Sequence, residues 1–205
     1  MAKPNITSVY SKAIRDIQIL SSYVVQASNL EAKYQYVVSE VVMLRLFSIM
    51  ETSIGEIALR LACGSPYRNG NAPALIHQCT SINDAIGNMI SLSRTRRQRL
   101  RFLKWTNEND IKHCIQFVLN TNDKFFTEIQ NNSAIIEEMR FVRNHIAHRN
   151  SDTAKKYYTV LSGIYNANIR ISLGAFLTSK ARHTQSNIEK YILTIPIILD
   201  DITKG

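Results

Sequence analysis

Leu30 to Ala62 reads LEAKYQYVVSEVVMLRLFSIMETSIGEIALRLA. Tyr34, Val37, Val38, Val41, Leu44, Ile49, Ile54, Ile57 and Leu61 fill a broad apolar face at helical spacing, and Gly64-Ser65-Pro66 supplies the stop. The stretch predicts one long helix. Its surroundings point the same way: the chain holds 7 Gly and 4 Pro, with no Pro between Pro73 and Pro196. So little punctuation is hard to reconcile with a turn-rich β fold, and an all-α protein is expected.

Upstream, Val9, Ala13, Ile17, Leu20 and Val24 recur at three- and four-residue steps and predict a helix from about Thr7 to Gln26. Downstream, Gly64 to Pro73 is the clearest loop, and Ala74 to Leu92 reads as a helix weakened by Gly87. Asn107 is placed to cap Ile111 to Leu119, and Asn120 to Asn122 mark a break. A further helix begins at Asn132 or Ser133, with Ala134, Ile135, Met139, Val142 and Ile146 inward. Its acids lie early and its bases late, as the helix dipole favours. Asn150-Ser151-Asp152 supplies a turn and a new cap before a helix from Lys155 to Ile171. A last helix spans Ser186 to Ile202, bent or ended by Pro196. The expected architecture is a single-domain up-and-down bundle of about six or seven helices.

Hydrophobic residues at 45% and charged residues at 20% of 205 exclude a disordered chain and suit one domain, residues 1–205. Uncharged stretches such as Ile17 to Leu30 fall short of the roughly 18 to 20 apolar residues a membrane span needs. Met1 to Asn5 lacks a signal-peptide pattern, so a cytoplasmic protein without membrane attachment is expected. Cys63, Cys79 and Cys114 are odd in number and far apart, which suits reduced, packed thiols. A net charge of +9 favours polyanionic partners, nucleic acid first among them. No phosphate-cradling glycine loop, nucleophile elbow or metalloprotease His-Glu pair is present, so neither cofactor nor metal is expected.

Chemistry concentrates between Glu138 and Asn150, where His145 and His148 lie among Arg140, Arg143 and Arg149. Histidine gives or takes a proton near neutral pH, and arginine holds phosphate bidentately, a combination suited to phosphodiester cleavage. Asn144 and His148 are four apart and share a helical face. Arg143 and His148 are five apart and converge best if the helix loosens or a second chain contributes.

Arg143-Asn144-His145-Ile146-Ala147-His148 resembles the signature of the HEPN superfamily, an Arg followed by a polar residue and, four to six residues on, by a His. Leu44 to Glu51 is similar to the polar-bearing early helix of its RiboL-PSP-type members, and the likeness covers about residues 30–170. The resemblance implies a helical homodimer whose two motifs face each other across a two-fold cleft. It also implies a metal-independent endoribonuclease of toxin–antitoxin, phage-defence or RNA-processing type, with RNA and an antitoxin or other regulatory protein as partners. His148 would transfer protons, Arg143 would clamp phosphate and Asn144 would orient, with His145 and Glu51 in support. The family also contains non-catalytic members, so an RNA-binding or partner-binding module is the alternative, and a purely structural helical dimer is a third.

Each residue also has a plainer reading. Arg143 would pair with Glu137 or Glu138, Arg140 with His145 would form a shifted register, and Glu51 would be a solvated charge or a partner for Arg45. Arg94, Arg96, Arg97, Arg99 and Arg101 form a dense patch that suits either RNA capture or a solvated face. Phe102 and Trp105 beside it would stack on bases or join the core.

Overall fold

A computed structural model describes residues 5–94, 102–180 and 184–205. Among these, nine α-helices follow in chain order: α1 (Ile6–Ala27), α2 (Ala32–Ala62), α3 (Ile82–Arg94), α4 (Glu108–Ile115), α5 (Lys124–Asn131), α6 (Ser133–His148), α7 (Ser151–Tyr165), α8 (Leu173–Thr178) and α9 (Asn187–Lys204). The protein is all-α, and no helix among the described residues is long and apolar enough to cross a membrane.

The chain forms two compact units. One comprises Met1–Ala13, Met50–Ile136 and Ile197–Gly205; the other comprises Ile14–Ile49 and Glu137–Pro196. In the first, Ile54, Ile57 and Leu61 of α2 are fully buried, as are Ile111 and Ile115 of α4 and Phe125 and Ile129 of α5. Asp123 ties this unit together. It caps α5 by accepting from the Phe125 N–H at 2.9 Å, takes the Ala74 N–H at 2.7 Å and receives the Tyr67 hydroxyl. Burial and this carboxylate raise the Tyr67 phenol above its ordinary range.

In the second unit, Tyr157, Phe176 and Tyr191 are buried, and the Tyr191 hydroxyl donates to Glu138 Oε1 at 2.8 Å. Gly174 lets α8 approach α2 closely, since a Cβ there would fall 2.2 Å from Tyr36 Cβ. The three cysteines are free and buried, and burial pushes the Cys114 thiol up to about 11.

Several boundaries differ from the sequence reading, each for a local reason. Residues 74–79 are not helical, because the Ile76 N–H bonds Val118 O at 2.9 Å and the Asn120 N–H bonds Ala74 O at 2.7 Å around an isolated antiparallel Leu75–Leu119 bridge. Helix α3 therefore starts at Ile82, where Ser81 Oγ accepts from the Asp84 N–H. Asn107 caps as expected, but α4 stops at Ile115, and α5 follows the predicted break. Helix α7 ends at Tyr165, not Ile171, because Asn166 takes the left-handed conformation with φ 50°. Helix α9 runs through Pro196: Ile192 and Ile195 before it, and Ile198, Leu199 and Ile202 after it, are all buried, which offsets the lost backbone bond. On α2 the inward face of the first half is Val42, Met43, Leu46 and Phe47, while Tyr34, Val37 and Val41, expected inside, are exposed.

Candidate active site

Helix α6 buries Ile136, Met139 and Val142, three residues apart, and this stripe fixes where the remaining side chains lie. Ala134, expected inside, is exposed, and Ile135 and Ile146 are half-buried. Arg143 and Asn144 flank the stripe, half-buried. Arg143 Nη1 donates to Asn144 Oδ1 at 2.9 Å, and its guanidinium lies 5.8 Å from the centre of the Phe47 ring on α2.

The two carboxylates that would neutralise Arg143 are engaged elsewhere. Glu137 holds Arg140 by a two-point contact, and Glu138 accepts from Tyr191 and from Lys190 Nζ at 3.3 Å. Arg143 therefore has no ion-pair partner among the described residues, and its remaining donors are open to a phosphate.

His148 sits at the exposed end of α6, with no hydrogen-bond partner among the described residues. The helix does not loosen before it, since the Arg149 N–H still bonds His145 O at 3.1 Å. Five residues of regular helix place Arg143 and His148 about 140° apart around the axis. Arg143 and Asn144 are brought together within one copy of the chain, and His148 is not joined to them.

His145 has different surroundings. Its Nδ1 lies 3.1 Å from Thr153 Oγ1, and its ring stacks on Tyr157 with centroids 5.0 Å apart. Burial, and then the charge of Arg149, hold its pKa below the ordinary histidine value, with Glu40 opposing. Arg149 follows the helix end with φ 43°, pairs with Glu40 of α2, and lines a cavity of about 370 Å³ with His145, Tyr157, Tyr158 and Arg170. The sequence marks Arg149 only as a cation late on the helix; for Arg170, in the segment after α7, it carries no comparable signal.

Glu51 is half-buried on α2 and belongs to the unit of Met50–Ile136, whereas the motif belongs to the other. Arg94 ends α3, and Arg96, Arg97, Arg99 and Arg101 lie outside the described residues. Phe102 is exposed with Lys104 Nζ 5.2 Å from its ring centre. Trp105 is half-buried and packs on Gly55, where a Cβ would come within 2.7 Å of the indole. Compared with protein-family models, with curated proteins and with solved structures, the chain shows no match.

Proposed function

We propose that this protein is a metal-independent endoribonuclease of the toxin–antitoxin or phage-defence kind, acting as a homodimer with a composite site. The observation that carries the reading is the state of the motif: a guanidinium with no carboxylate among the described residues, steadied by Asn144, and an open imidazole at the end of the same unbroken helix. The motif's resemblance to the HEPN signature and the charge of +9 support RNA as substrate.

In the reaction, one His148 takes the proton of the 2′-hydroxyl. The 2′-oxygen attacks the phosphorus, and the 5′-oxygen leaves as the partner subunit's His148 protonates it. Arg143 holds the non-bridging oxygens, whose charge grows in the transition state. The products are a 2′,3′-cyclic phosphate and a 5′-hydroxyl.

The separation of Arg143 from His148 around one helix is what calls for a second copy, and a face exists to dock it. Ile19, Tyr23 and Leu30, with Val37 and Val41 of α2, are 47% to 61% exposed and line a groove of about 790 Å³. At roughly 100 Å² each they expose about 500 Å², within the roughly 300 to 600 Å² of the largest apolar patch on a monomer and a substantial part of the roughly 800 Å² per partner of a stable interface. Only Asp16 and Arg45 bring charge to the groove, so two copies of this basic chain repel least there. The face adjoins the motif, because Glu40, which holds Arg149, lies between Val37 and Val41 on α2.

The test is cleavage of single-stranded RNA and of the same sequence as DNA by wild type and by His148→Ala. RNA cut by wild type alone, with DNA bound and intact, is the expected pattern. RNA bound with no turnover by either protein replaces the enzyme with a binding module.

A further inference from the structure

Beyond the end of α6 the second unit holds a cavity of about 370 Å³, a size that suits a small ligand. Two guanidiniums line it. Arg149 is held at φ 43°, a conformation where glycine is the usual occupant and an arginine is strained. Glu40 fixes that arginine through Nη2, yet its side chain remains 64% exposed, so most of its five donors are unspent. Arg170 pairs with no carboxylate among the described residues, and its guanidinium lies 5.7 Å from the ring centre of the exposed Tyr158. Tyr157 and Leu173, both buried, close the apolar side. The lining combines more positive than negative charge, a fork of free donors and an accessible aromatic ring.

We propose that this cavity binds one nucleotide of single-stranded RNA, its phosphate between Arg149 and Arg170 and its base against Tyr158. Guanidiniums match phosphate oxygens in pairs, and a tyrosine ring accepts any base by stacking. A carboxylate ligand would use the arginines and leave the tyrosine idle. The location fits a strand passing the site, since Arg149 follows His148 directly in the chain. The inference rests on the ribonuclease reading for its biological setting, but the site itself does not require turnover. Arg170 and Tyr158 are therefore positioning residues, which raise occupancy without touching the scissile bond.

Titration calorimetry with uridine 5′-monophosphate, inorganic phosphate and uridine tests the site on the full chain. Wild type is expected to bind the nucleotide more tightly than phosphate, and uridine least. Arg170→Ala should weaken the nucleotide by at least about tenfold, while Tyr158→Ala should weaken the nucleotide and leave phosphate unchanged. Both side chains are exposed, so neither variant should unfold the protein, and circular dichroism checks this. In RNA cleavage, Arg170→Ala should raise KM and leave kcat within a few-fold. Nucleotide affinity unchanged in Arg170→Ala, or equal affinity for phosphate and nucleotide in wild type, overturns the proposal. If wild type and His148→Ala bind the nucleotide alike and wild type cleaves no RNA, the subsite stands and the ribonuclease falls. Cleavage without nucleotide binding has the opposite meaning.

Discussion

Arg140, Arg143 and Arg149 stand on or just past the same helix, and their neighbours give them different work. Glu137 neutralises Arg140 and Glu40 anchors Arg149, whereas Arg143 has no carboxylate partner among the described residues and donates to Asn144 beside the Phe47 ring. His148→Ala should therefore cost on the order of 10² to 10⁴ in the rate of RNA cleavage, and Arg143→Ala a similar amount, measured under single-turnover conditions. His145→Ala should retain more activity than either, and a dead His145→Ala beside a working His148→Ala would move the proton-transfer role to the inner histidine. His145 matters instead for stability. Because its folded pKa lies below the ordinary 6.5, the unfolded chain takes up this proton first as the pH falls. Its stabilising contribution is complete above that value and is lost on acidification towards the folded pKa. Thermal melts from about pH 7 to about pH 5.5 should show Tm falling more steeply in wild type than in His145→Gln. Equal slopes would contradict the burial argument. The residue types of the motif are legible in the sequence. The pairing of Glu137 with Arg140 follows the three-residue spacing, since Arg143, six residues on, is not a helical neighbour of Glu137.

At the scale of elements, α6 and the cap that follows it were readable because periodicity, charge order and Asn150 agree. Asn150 Oδ1 accepts from the Thr153 N–H at 2.9 Å, and Thr153 Oγ1 accepts from the Asn150 N–H at 3.2 Å. Thr153 also supports His145, so this box couples the start of α7 to the end of α6. Asn150→Ala should cost about 0.5 to 2 kcal/mol in urea unfolding, and a neutral result would show that the cap is not holding the turn. Helices α5 and α8 are not legible in the sequence, for a common reason. They have 8 and 6 residues, too short for a stripe to declare itself, and caps at Asp123 and Ser172 define them. Residues 74–79 suit a helix by their local apolar character, while bonding to Val118 and Asn120 holds them out of one.

At the scale of the whole molecule, the all-α class followed from sparse Gly and Pro, but the destination of the apolar surface did not. Helix α2 is apolar on more than one side, and only packing shows that Val42, Met43 and Phe47 go inward while Val37 and Val41 stay out. That outward face is the proposed dimer contact. Val37→Asp with Val41→Asp should give a folded species near the single-chain mass of 23.4 kDa by light scattering, where wild type gives about twice that. The same variant should lose RNA cleavage, and a fully active monomer would remove the composite site.

The most direct measurement of the central claim is incubation of the protein with single-stranded RNA in excess EDTA, followed by chemical typing of the new ends. Attack by the 2′-hydroxyl under histidine control predicts 2′,3′-cyclic phosphate and 5′-hydroxyl ends, formed at the rate seen without chelator. Cleavage abolished by EDTA, or products with 3′-hydroxyl and 5′-phosphate ends, would contradict it.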